Sequence, residues 1–207
     1  NIPLGHTVLI GHDYFERQAD ADQLIGNAVQ LTTEPGNIEI LTYNQYADNS
    51  VGGETANTQA AITAELTAAG RTGTFTTLAD YTMLTTALTA SVDVLLVVEQ
   101  ELGSDAGLTA VGTAWNARLQ TFIDRGGIII VCNDTDYSWR TVSGAGLYTI
   151  TATLNQYPAT ATVALPGDRL AAGVSATYAT PNGSASFVGV VGGVTVVGLH
   201  TPGHTPG

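Results

Sequence analysis

Lysine is missing from this chain altogether: its basic complement is six arginines set against 18 Asp and Glu, a formal charge of −12 over 207 residues. A surface so short of cations repels phosphate backbones and anionic headgroups, so nucleic acid and acidic membranes are not expected partners. Without lysine there is no Gly-Lys-Ser or Gly-Lys-Thr phosphate loop, and Gly11-His12-Asp13-Tyr14 lacks the Gly-x-Gly-x-x-Gly spacing. No nucleotide and no other cofactor is expected. A single cysteine, Cys132, rules out an internal disulfide and leaves either a buried thiol or a nucleophile. No apolar run reaches the ~18 to 20 residues that cross a bilayer, so no membrane insertion is expected.

What is present points to a folded α/β chain. With 44% hydrophobic residues the chain can bury a full core, and we read residues 1–200 as one domain. The doubled His-Thr-Pro-Gly of residues 200–207 reads as a linker or tail over 201–207. The opening Asn1 and the abundance of Thr, Ala, Gly and Asn place the expectation in an extracellular or periplasmic setting.

The hydrophobic pattern alternates between strand and helix through the first two thirds. Residues 6–10, 38–43, 74–78, 92–98 and 128–131 read as strands. The run at 92–98 is nearly continuous, the form of a strand buried on both faces. Helices are read between them: one capped by Asp20 or Asp22, one carrying Ala61, Ile62, Leu66 and Ala69, a short one at 81–88, and one carrying Trp115, Leu119, Phe122 and Ile123. Strand, crossover helix, strand is the sequence form of a parallel βαβ unit. After Cys132 the alternation stops, and segments 187–191 and 194–199, joined by Gly192-Gly193, read as a hairpin. The expectation is a flavodoxin-like three-layer sandwich with a mainly parallel sheet and a β-rich C-terminal portion ending in a hairpin.

Parallel strands turn their carboxyl ends to one rim, where such sheets bind ligands, so the candidate residues follow from strand ends. They are His12, Asp13 and Tyr14 after the first strand, Tyr43, Asn44 and Gln45 after the second, Glu99 and Glu101 after the fourth, and Cys132, Asn133 and Asp134 after the fifth, with His200 ending the last. Cysteine beside histidine would give a thiolate–imidazolium pair able to attack carbonyl carbon. Tyr14, Tyr43, Asn44, Gln45, Tyr46, Tyr137 and Trp139 would suit a sugar, since rings stack on its apolar faces and amides bond its hydroxyls. A metal site built from His12, Asp13, Asp134 and Asp136 has no ligand spacing behind it, and none is expected.

Residues 91–136, with Asp93 opening a strand and Gly127-Ile128-Ile129-Ile130-Val131-Cys132 ending the next, resemble the core of the class I glutamine amidotransferase-like superfamily. Val197-Gly198-Leu199-His200 is similar to the strand that brings that family's catalytic histidine. The resemblance implies a nucleophile at Cys132 and a base at His200; in a thiol-hydrolase reading Glu99 or Asp134 would be the orienting carboxylate. The departures argue against activity: Ile130 and Asp134 stand where the nucleophile's tight turn favours small residues, and Thr201-Pro202 follows the histidine where active members have Pro-Glu. Asp134 would also raise the thiol's pKa.

Arg125-Gly126-Gly127 and the run from Pro166 to Gly173 look similar to branches lacking the catalytic set, such as trehalose-utilisation-type domains. The leading expectation is therefore a non-catalytic binding or assembly module with a protein partner or self-association. The alternatives are a Cys132–His200 thiol hydrolase or amidase and a carbohydrate-binding module.

Overall fold

The computed structural model describes residues 5–32 and 35–200, the side chain of His200 excepted. Five strands form one all-parallel sheet: β1 (His6–Ile10), β2 (Asn37–Tyr43), β3 (Thr72–Leu78), β4 (Val94–Val97) and β5 (Ile128–Cys132), in the order β1-β5-β4-β2-β3. Between them run α1 (Ala19–Val29), α2 (Glu54–Ala68), α3 (Leu84–Ala87, after a 3-10 turn at Tyr81–Met83) and α4 (Asp105–Asp124). β4 and β5 pair directly, Val94 with Ile128 through Val97 with Val131. Every residue of both strands is buried, as their unbroken apolar runs require. The flavodoxin-like layering is as expected.

The strand order decides where the helices go. From β1 the chain steps to β2 and then to β3, and α1 and α2 cover one face, where Ile25, Val29, Ile62 and Leu66 pack on Ile40, Leu96, Ile130 and Cys132. From β3 it returns to β4 and β5, and α4 covers the other face, where Trp115, Leu119 and Phe122 pack on Leu95, Val97, Ile129 and Val131. Outgoing loops of adjacent strands therefore diverge between β2 and β4, between β5 and β1 and, because Leu84 and Leu88 after β3 pack on the α4 face, between β2 and β3. Such reversals open a crevice at the carboxyl rim.

Local chemistry accounts for most element ends. Helix α1 starts two residues earlier than a cap at Asp20 would place it, because Gln18 accepts the amide of Ala21 as its cap, leaving Asp22 to Arg17 and Asp20 to the amide of Ser175. Ser104 caps α4 by accepting from the Gly107 amide. At its far end Gly126 takes φ +97°, which disfavours any side chain, and a Cβ on Gly127 would sit 2.6 Å from the Phe122 ring. That pair lets α4 stop and β5 begin at once.

The C-terminal portion forms α5 (Arg140–Ser143) and two antiparallel sheets. β6 (Ala152–Asn155) pairs with β9 (Ala185–Val188), and β7 (Thr160–Val163) lies between β8 (Thr177–Ala179) and β10 (Val197–His200). The segments expected to pair with each other across Gly192-Gly193 instead find separate partners, Phe187 opposite Thr153 and Leu199 opposite Ala161. Gly192 does turn the chain at φ +96°, but Val191 and Val194 beside it are exposed, so nothing draws the two segments face to face. The proposed tail at 201–207 lies outside the described residues.

This portion approaches the free edge of β1. Between them lies a groove of about 750 Å³ bounded by Leu24, Leu31, Phe187, Val196 and Leu199. The Ala185 amide donates to the Gly11 carbonyl at 2.7 Å, and a Cβ on Gly11 would overlap the Ala185 carbonyl. Gly11→Ala is expected to destabilise the fold by about 1–3 kcal/mol through overpacking. Urea unfolding reads the loss, and faster exchange of the Ala185 amide locates it; unchanged exchange would refute the docking role of this contact.

Candidate functional site

The loops leaving β1, β4 and β5 and the first residue of α2 bring carboxylates together at the carboxyl rim. Asp13, Glu54 and Glu99 are 6%, 7% and 3% exposed. Each offers a carboxylate oxygen, and the three oxygens lie within 4.8 Å of one another. Asp13 is oriented by the Phe15 amide, which donates to its Oδ1 at 2.6 Å. Glu99 Oε1 faces the Tyr14 amide at 3.4 Å, too long for a strong bond. Glu54 stands against the carboxyls of Asp13 and Glu101, and its Oε2 is buried with no donor.

Asp134 extends the cluster. Gly183, at φ +73°, passes so close that a Cβ there would lie 2.7 Å from both Asp13 Oδ2 and Asp134 Oδ2, so glycine is required for the two carboxylates to face one another across it. Asp136 plays a different part and accepts the amide of Gln100 and the amide and hydroxyl of Ser138, which ties the β4 and β5 loops together. The two ion pairs among the described residues, Arg17–Asp22 and Arg140–Asp105, lie outside the cluster.

Crowding carboxylates away from water raises their affinity for protons. Burial, then Glu101 and Asp13, pushes Glu54 up to about 9. Burial followed by Glu54 and Asp13 holds Glu99 well above the usual carboxylate range. Asp134 is pushed up to about 6 by burial and by Asp13, and Asp13 itself is raised mainly by burial. The rim is a concentration of buried carboxyl groups, and no cationic side chain is among the causes that set their pKa values.

The thiol expected at this rim points elsewhere. Cys132 is 0% exposed and packs in the core beneath α1 and α2. Burial pushes its pKa well up, and the neighbouring carboxylates Glu99, Asp136 and Glu54 add to the rise. The expected direction holds, although the sources are these three and not Asp134. The side chain of His200 lies outside the described residues, and its strand, β10, belongs to a separate antiparallel sheet.

His12 is a structural residue. It is 4% exposed, with Nδ1 3.1 Å from Ser184 Oγ and Nε2 2.7 Å from Tyr178 Oη. Because Ser184 Oγ donates to the Pro181 carbonyl, it accepts from Nδ1–H, which leaves Nε2 to accept from Tyr178. Burial lowers its pKa to about 4, so the ring is neutral and fully engaged.

The aromatic residues expected to stack on a sugar are mostly inside. Tyr14 is 1% exposed and donates to the Ala21 carbonyl; Tyr43, at 0%, meets Trp115 edge to face; Trp139, at 2%, lies under the Arg140 guanidinium. Amphipathic rings have enough apolar area to be drawn into the core when the strand end next to them is buried. Gln45 accepts the Tyr81 amide, Asn44 donates to Asn49, and Asn133 accepts the Trp139 amide, so these three fasten loops. Of the expected ligand residues, Asp13 and Asp134 are brought together with Glu99.

Glu54 is not among the strand-end residues because it opens a helix. The signal was present: a helix that follows a parallel strand begins at the same rim, so its first-turn acid belongs there as well. Comparison of the chain with protein-family models, with curated proteins and with solved structures finds no match.

Proposed function

We propose that this chain is a non-catalytic binding or assembly module, of the amidotransferase-like kind and working in an extracellular or periplasmic setting, whose ligand seats on the acidic rim. The observation that carries the reading is the burial of Cys132 beneath α1 and α2 with its thiol held protonated. Thiol catalysis needs an accessible thiolate beside a base, and neither condition fits a sulfur in the core. The association half of the reading is supported by Val191 and Val194, 67% and 76% exposed near the Gly192-Gly193 turn.

The test uses the chain's single thiol. Native protein treated with iodoacetamide is expected to remain unmodified by intact mass over hours, and to take up one adduct in denaturant. Rapid alkylation of the native protein would overturn the non-catalytic reading and restore the thiol hydrolase.

A further inference from the structure

We propose that Asp13, Glu54 and Glu99 form the binding site for one hard divalent cation, calcium or magnesium, with Asp134 and Glu101 at its margin. This rests on the reading of the acidic rim as the ligand site and names the ligand. Three carboxylate oxygens within 4.8 Å of one another match a shared ion, since oxygens each about 2.4 Å from a cation can be no further apart than this.

Proximity of acids does not by itself make a site. The independent observation is Glu54 Oε2: the residue is 7% exposed, the atom is out of contact with water, no donor reaches it, and its carboxyl is aimed at those of Asp13 and Glu101. A buried acceptor without a donor is costly, and carboxyls packed this close disfavour one another's ionised form. A cation answers both. The neighbouring structure already fixes the ligands: the Phe15 amide sets Asp13, and Gly183 leaves room for Asp13 to face Asp134.

The donor set also selects the ion. All the available donors are oxygen, because His12 is spent on Ser184 and Tyr178 and Cys132 is sealed in the core. Soft or borderline metals that seek imidazole or thiolate gain nothing here. Calcium and magnesium are separated by cavity size and ligand number, so both are test arms.

The experiment titrates chelator-treated, full-chain protein with calcium chloride, magnesium chloride and zinc chloride by calorimetry. Thermal melts accompany it, and manganese EPR on the unmodified chain provides a readout that needs no variant. One saturable site for calcium or magnesium is expected, with manganese immobilised and displaced by the favoured ion. Glu54→Gln and Glu99→Gln should weaken binding at least tenfold and abolish the cation-induced rise in Tm. Asp105→Asn, which alters a carboxylate paired elsewhere with Arg140, should leave binding unchanged. Absence of saturable calcium, magnesium and manganese binding, or zinc binding tighter than both calcium and magnesium, would overturn the site.

The thiol test separates the two failures. Inert Cys132 without cation binding sinks the cation site alone, whereas reactive Cys132 with cation binding sinks the non-catalytic reading alone.

Discussion

The stability advantage of the unaltered chain over His12→Gln is expected to shrink by roughly 3 kcal/mol between pH 7 and pH 4. In the native state His12 is neutral with its pKa lowered to about 4, whereas in the unfolded chain it titrates near 6.5. The unfolded state therefore binds a proton in that window that the folded state refuses. Stability from the neutral ring is complete above pH 6.5 and is lost as the pH falls towards 4. A plain pH–stability curve would hide this. The raised carboxylates, Glu54 at about 9 and Asp134 at about 6, act in the opposite sense, since the folded state holds their protons more tightly than the unfolded one. Only the difference between the two chains isolates the histidine.

Urea unfolding of both proteins at half-unit pH steps, in the presence of chelator, makes that measurement. A difference that stays flat from pH 7 to pH 4 would show that His12 is not held neutral by the fold. The location of the effect follows from the contacts: His12 lies in the loop just after β1, Tyr178 lies in β8 and Ser184 precedes β9, so the imidazole clasps the C-terminal portion to the parallel sheet. Amide exchange at low pH should rise first in β8 and β9.

Trp115→Ala is expected to cost about 3–5 kcal/mol, the range for removing a buried large aromatic residue. The indole is 2% exposed in the layer between α4 and the sheet. It meets the Tyr43 ring edge to face at 4.7 Å and 76°, and its Nε1 donates to the Tyr81 carbonyl at 2.8 Å. Alanine opens a cavity, removes the ring pair and strips that carbonyl of its donor. Trp115→Phe keeps most of the packing and should cost about half as much. Because Trp115 packs on the face opposite α1 and α2, cation affinity of the folded variant should not change. A loss below about 1 kcal/mol for Trp115→Ala would mean that this layer repacks freely.

How far the sequence could be read varied with the range of the interaction. The βαβ unit from β4 to β5 was legible because an apolar run, a helical stripe and the Gly126-Gly127 stop are all local signals, and Val94–Val97 does lie parallel to Ile128–Cys132. The rim residues Asp13, Glu99 and Asp134 were legible for the same reason, since each follows a strand end. The partners of the last two strand segments were not, because pairing β9 with β6 and β10 with β7 depends on chain separated by many residues.

Side-chain destinations were the least legible. Tyr43 and Trp139 have the composition of a sugar platform, yet the apolar area that would stack on a ligand is worth more in the core. Whether His12 is a ligand or a clasp was decided by Tyr178 and Ser184, more than 160 positions away.

By itself the sequence determined the α/β class, the parallel central unit, the acidic character and the exclusion of phosphate-loop chemistry, because periodicity and composition act over a few residues. Tertiary structure alone decided the strand order, the burial of Cys132 and the convergence of Glu54 with Asp13 and Glu99. Each of these depends on which distant segments share a face, and that is set by the packing of the whole chain and not by any local pattern.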